Sequence, residues 1–159
     1  TVYINRPGGL AHSGCCMMLP AESFIRMGQL MAQDGMWEGK RILAEGWIAE
    51  TLKPSRANPK WGLHMWLGKP YQQRVAFFPA RSQPIGVLHS EPYAADDLFL
   101  WDGSGNQAMW IVPSKQLVVL RFGPTPKPAY GQPGEWDNSL LPNTVIRGLK
   151  SDVTSIRKD

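Results

Sequence analysis

Trp101-Asp102-Gly103-Ser104-Gly105-Asn106-Gln107 is the stretch of this chain whose residue types could do chemistry through the backbone. A glycine-rich corner runs directly into the apolar segment Ala108-Met109-Trp110-Ile111-Val112, then Pro113 and a second apolar segment over residues 116–122. Such a corner leaves backbone N–H groups at the edge of a buried sheet. There they can hold an oxygen atom that gains negative charge in a transition state.

The other reactive residues are less well placed. Gly103-Ser104-Gly105 is not a Gly-x-Ser-x-Gly nucleophile elbow, because its flanking residues are wrong, Asp102 among them. His12, His64 and His89 stand at no regular spacing from a serine, so each is expected to be a surface or hydrogen-bonded structural histidine. Cys15 and Cys16 are adjacent, which does not suit disulfide geometry. Together with His12 they make three candidate ligands in five residues without a second cluster, which falls short of a zinc pattern. The expectation is therefore small buried thiols, no metal and no cofactor.

The elements that must carry the corner are readable from periodicity. Pro20 opens a predicted helix of about 14 residues, with Phe24, Met27, Leu30 and Met31 at helical spacing and Gly35 as its stop. Residues 37–43 read as extended. A second helix is predicted over 44–52, with Trp47, Ile48 and Leu52 on one side and Pro54 ending it. Alternation of Trp61, Leu63, Met65 and Leu67 with Gly62, His64 and Trp66 predicts a strand with one buried face. Residues 69–95 hold four prolines and read as loops with one or two short strands, near Val75-Ala76-Phe77-Phe78 and Ile85-Gly86-Val87-Leu88. Strands follow over 98–101, 107–112 and 117–122. The last two are apolar on both faces, which predicts central antiparallel strands covered on two sides. Asn138 or Ser139 is expected to cap a final helix with Pro142 in its first turn and Leu141, Val145 and Leu149 as its stripe. The sum is an α+β domain, an antiparallel sheet flanked by helices.

The 159 residues suit a single domain over 1–159, with a polar, flexible tail at 151–159. An apolar fraction of 43% and a charged fraction of 19% read as globular. The seven tryptophans are spread along the chain, and each is most simply a core residue. Net charge is +4, but the positive residues are scattered, so nucleic-acid binding is not expected. No run approaches the ~20 apolar residues of a membrane span. Thr1 to Pro7 lacks the apolar centre of a secretion signal, and with no initiator methionine the chain reads as a trimmed or excised segment. The compartment, cytoplasm or periplasm, stays open.

The order of these elements, from Arg6-Pro7-Gly8-Gly9 through Ala32-Gln33-Asp34-Gly35-Met36-Trp37 to the Gln107–Val112 strand and the closing helix, resembles the C-terminal part of the β-lactamase-like serine hydrolases. That family comprises class C β-lactamases, DD-peptidases and related esterases, and the fold implied is the β-lactamase/transpeptidase-like one. The resemblance spans about residues 6–149. Family members form an acyl-enzyme on a serine in a Ser-x-x-Lys turn, with a Tyr-x-Asn or similar motif as a second proton-transfer group. A Lys-Thr-Gly or His-x-Gly strand closes the site. Trp101-Asp102-Gly103 falls where that triplet stands, which implies substrate-binding roles for all three. The resemblance makes the Ser104 backbone N–H an oxyanion donor, and Gly103 the point where substrate approaches the strand. Trp101 replaces a cationic residue and offers an apolar wall. Asp102 either repels an anionic substrate or points away, since strand neighbours face opposite sides.

Ser155-Ile156-Arg157-Lys158 and Tyr3-Ile4-Asn5 match the family's other motifs by letter but stand in the wrong places, one in a charged tail after the glycine motif. No catalytic nucleophile is therefore assigned to this chain. The resemblance implies a segment of a serine hydrolase acting on esters or neutral amides. It would supply an oxyanion donor and a substrate wall, while the nucleophile comes from a missing N-terminal half. That half, or a second copy of the chain, is expected to cover an exposed sheet face. The alternative is a non-catalytic binding or scaffolding module derived from that fold. A third reading is an unrelated α+β enzyme using Ser104 or a histidine.

Overall fold

The computed structural model of the protein describes residues 4, 6–9, 18–76, 86–124, 128 and 131–149. These residues form an α+β structure with antiparallel sheets. His12, Cys15, Cys16, Phe77, Phe78, Ile85 and the 151–159 tail, on which expectations were placed, lie outside the described residues.

Helix α1, Ala21–Ala32, follows Pro20, whose ψ of 152° keeps it extended, so the proline precedes the helix instead of opening it. Gly35 closes it at φ 78°, and its N–H donates to the Leu30 carbonyl at 2.8 Å. Two short strands, β1 (Met36–Trp37) and β2 (Lys40–Arg41), pair across a Glu38-Gly39 turn with both φ values positive. Helix α2 is only Trp47–Thr51, shorter than expected, because Gly46 at φ 75° delays its start. Ile48 and Thr51 face inward, whereas Trp47 is 48% exposed and does not share their side.

The strand expected over 61–67 reduces to β3, Trp66–Leu67. The chain reverses at His64 (φ 59°), and Gly62 N–H donates to Met65 O at 2.8 Å. Trp61 then bridges Trp66, with ring centroids 4.7 Å apart. Alternating residue types here come from a tight reversal, and Leu63 is left exposed. Strands β4 (Arg74–Val75) and β5 (Val87–Leu88) form a separate antiparallel pair.

The central sheet runs in the order β3-β6-β7-β8, with β6 Phe99–Gly103, β7 Gln107–Val112 and β8 Leu117–Arg121. Strand β6 extends beyond its expected end to include Asp102 and Gly103. Strand alternation divides the core. Phe99, Trp101, Met109, Ile111, Val118 and Leu120 lie on the side of Met31 and Ala32 from α1. Leu100, Ala108, Trp110, Val112, Leu117 and Val119 lie on the side of Ile146 from helix α3, Leu140–Gly148. Strand β7 is central, and Trp110, Ile111 and Val112 are fully buried. Each such side chain contributes about 1.5–3 kcal/mol. Strand β8 is not central as expected. It is the edge of this sheet, and all five of its residues are half-buried.

Helix α1 approaches the sheet closely at Gly28, where a Cβ would stand 2.6 Å from Val118 Cγ1 and 2.8 Å from Met109 Sδ. The inward face of α3 differs from the expected stripe. Pro142, Asn143 and Ile146 are buried, while Leu149 is exposed. Ser139 holds the N-cap position without a side-chain cap bond. The Asp137 carboxylate accepts instead from Ser139 N at 2.9 Å and Ser139 Oγ at 2.6 Å. Asn143 is fully buried and satisfied: its Oδ1 accepts from Ala94 N at 2.7 Å, and its Nδ2 donates to Pro92 O and Glu91 Oε1.

Asn143→Ala removes these three bonds and leaves the Ala94 N–H and Pro92 carbonyl without their partner. The expected loss is about 1–3 kcal/mol per orphaned group, measured as a lower urea midpoint with an unchanged slope.

Candidate functional site

One end of the central sheet carries a cavity of about 410 Å³ between the first turn of α1 and the ends of β6, β7 and β8. Phe24, Trp101, Met109, Leu120 and Phe122 wall it, and Gly103 and Ser104 form part of its rim. The wall follows from register. Trp101 pairs with Met109, and Met109 with Leu120, so one cross-strand row presents three apolar side chains to the α1 side. Phe24 and Phe122 close the space edge to face, with centroids 5.2 Å apart at 85°.

The rim is a hairpin turn in which Gly105 (φ 78°) and Asn106 (φ 57°) both take the left-handed conformation. Among the described residues the Ser104 N–H makes no hydrogen bond. A Cβ on Gly103 would meet nothing nearer than Gln107 O at 3.6 Å, so the strand surface there is open to an incoming group. The structure thus brings Trp101, Gly103 and Ser104 to one cavity. Of the two orientations left open for Asp102, the side chain takes the one toward α3. Asn138 Nδ2 donates to its Oδ2 at 2.9 Å, and Trp136 Nε1 donates to Asn138 Oδ1 at 3.2 Å. Asp102 contributes to the large cavity from the strand, while its carboxylate lies among polar groups behind it.

Those groups surround a second, much smaller cavity of about 30 Å³, lined in part by Lys60, His89, Asp102 and Asn138. Burial raises Asp102 to about 6, and the Asn138 bond offsets only part of that effect. Burial lowers His89 to about 4, against a raising hydrogen bond to the Val87 carbonyl. The ring is therefore neutral. Its Nδ1 lies 3.1 Å from Val87 O, a bond that needs the proton on Nδ1, so Nε2 accepts from Tyr93 Oη at 3.0 Å. Trp110 Nε1 in turn donates to Tyr93 Oη at 3.3 Å. Burial lowers Lys60 to about 8, and its ammonium donates to Gly68 O and Pro70 O at 2.9 Å each. His64 is exposed near the Trp61 ring. Among the described residues no serine is hydrogen-bonded to a histidine or a lysine, no three metal-binding side chains cluster, and no helix is long and apolar enough to cross a membrane.

Lys60, Asn138, Trp136 and Arg121 were not singled out from sequence as site residues. Arg121 had a weak signal, a cation ending an apolar strand. Lys60 and Asn138 sit in loops, and nothing periodic marks them. No family model matches the chain, and no curated protein matches it.

Asp102 and His89 pull stability in opposite directions with pH. Asp102 is raised in the folded state, so its contribution is present below its unfolded value of 3.8 and is lost as pH rises toward 6. His89 is depressed, so its contribution is present above 6.5 and is lost as pH falls toward 4. Between about pH 4.5 and 6 the two slopes oppose each other. Asp102→Asn should therefore gain stability by roughly 2 kcal/mol as pH rises across that window, and His89→Gln should lose about as much. Urea unfolding at a series of pH values measures both. Parallel curves for the two variants would contradict the assignment.

Proposed function

We propose that this chain is a segment of a serine hydrolase of the β-lactamase-like kind, acting on uncharged esters or amides through an acyl-enzyme. In this reading the Ser104 backbone N–H is one oxyanion donor, Gly103 is the strand surface on which substrate lies, and Trp101 is the substrate wall. The observation that carries the reading is the meeting of an aromatic cavity of about 410 Å³ with a Ser104 N–H that makes no hydrogen bond among the described residues. Oxyanion donors act on groups bound beside them, and an apolar wall favours an acyl or alcohol part without charge. Among the described residues no Lys, Arg or His lines the cavity, which favours a substrate without a carboxylate.

The nucleophile and its base belong to other polypeptide in this reading. A serine nucleophile needs a base within hydrogen-bond reach, and in this family that base is a lysine; no described serine is hydrogen-bonded to a lysine or a histidine. Among the described residues no strand pairs with the outer edge of β8, which is consistent with a sheet that continues into such a companion. The lack of a serine–lysine or serine–histidine pair among the described residues equally favours the second reading, a non-catalytic binding module that uses the same aromatic cavity.

The chain alone should neither hydrolyse 4-nitrophenyl butyrate nor react with a fluorophosphonate. With a companion segment carrying Ser-x-x-Lys, hydrolysis should appear. Ser104→Ala should then keep it within a few-fold, because the backbone donor survives. Ser104→Pro, which has no N–H, should lower kcat by about 10²–10³. Turnover by the purified chain through a serine of its own would end this reading.

A further inference from the structure

A closed circuit of contacts holds the rim turn from the α3 side. The cross-strand row Asp102, Ala108, Arg121 places a carboxylate and a guanidinium on the same face, with a small buried alanine between them. Asp102 stands two residues before Ser104 and is held by Asn138 Nδ2. Arg121 Nη1 donates to Gly105 O at 3.1 Å and to Asn106 O at 2.9 Å, which fixes the far side of the turn. The two anchors are themselves joined, for the Arg121 guanidinium lies over the Trp136 ring at 4.9 Å and Trp136 donates to Asn138. Turn, Arg121, Trp136, Asn138 and Asp102 thus form a ring around the corner.

We propose that Asp102 is a positioning residue whose contact with Asn138 braces the Gly103 and Ser104 rim, and that protonation of its carboxyl slackens the brace. A hydrogen bond to an ionised carboxylate is roughly twice as strong as one to a neutral acceptor. Adding a proton to Asp102 therefore weakens the hydrogen bond that ties the end of β6 to the segment leading into α3. The strand continues directly into the rim, so the change is felt at the Gly103 and Ser104 amides.

The groups facing Asp102 leave it as the member that titrates near pH 6. His89 and Lys60 lie across the small cavity, the first already neutral and the second still cationic at that pH. Asp137 adjoins Asn138. Burial works against its charge, but bonds from Ser139 and Ser90 hold it below the usual carboxylate range. The Tyr93 hydroxyl is pushed up by burial and stays protonated. Arg121, on the same face of the sheet, is the other charged group of the ring.

The inference rests on the reading above only in giving this rim a use. It is tested without turnover. In ¹H–¹⁵N spectra of the full chain between pH 4.5 and 8, the Gly103 and Ser104 amides, the Asn138 side-chain amide and the Trp136 indole N–H should shift with one common midpoint near 6. Asp102→Asn should abolish that midpoint at all four. Asn138→Ala removes a bond that favours the charged form, so the midpoint at Gly103 and Ser104 should move upward while the shift at Ser104 shrinks at least twofold. Rim amides without a midpoint between pH 5 and 7, a midpoint that survives Asp102→Asn, or one unmoved by Asn138→Ala would overturn the proposal. Titration as described, in a chain that hydrolyses nothing with any companion, would support the brace and remove the hydrolase reading.

Discussion

Alternation at the end of β6 is the constraint from which the site follows. Successive side chains on a strand face opposite ways, and this sheet is covered on both faces. Trp101 therefore enters the α1 side, where Met109, Leu120 and Phe24 await it, and Asp102 enters the α3 side. A carboxylate forced under a helix must find donors or lose its charge. It finds one amide, Asn138, and that single bond does not fully offset burial. A slip of one residue in the pairing of β6 with β7 would exchange the two and bury the carboxylate against Met109 and Phe24.

The two faces consequently follow different rules. On the α1 side packing is apolar and close, with Gly28 letting the helix backbone reach Val118 and Met109. On the α3 side, buried polar groups accumulate in the segment before the helix and in its first turn: Asp137, Asn138, Ser139 and Asn143. No buried side-chain polar atom among the described residues lacks a partner. Such networks contribute less net stability than equal apolar area, but each bond has a direction, so they fix where a loop sits. That is how an irregular segment such as 131–139 comes to hold one end of a strand. The half-buried Arg74–Glu135 ion pair ties the same segment to β4.

Elements with strong periodicity over many residues were legible. Helix α1 and strands β7 and β8 appear close to their expected bounds, because Phe24 to Met31 repeat at helical spacing and residues 108–112 and 117–120 are continuous apolar runs bounded by turn residues. Short elements were not. Residues 61–67 alternate like a strand, yet His64 and Gly62 make a reversal, since seven residues do not distinguish a pleat from a turn with aromatic flanks. The α3 stripe was misjudged because Asn143, a polar residue, takes an inward place that a hydrophobicity pattern assigns to leucine. Leu117-Val118-Val119-Leu120 is apolar on both faces and so reads as a central strand, yet β8 lies at the edge of its sheet. Composition reports what covers a strand's faces and is blind to whether its edge is paired.

The amino-acid sequence by itself determined the glycine-rich turn, the apolar strands on either side of it and the two-sided character of the sheet, all of which follow from local backbone preference and residue period. It also placed Trp101, Gly103 and Ser104 within reach of one another, since they are near neighbours. Only the tertiary structure decided which way Asp102 faces and that Phe24 and Phe122 complete the cavity with Trp101. It alone brought Arg121, Trp136 and Asn138 into a ring behind the turn. These are meetings between residues tens of positions apart, set by strand register and helix docking, and no local pattern encodes them.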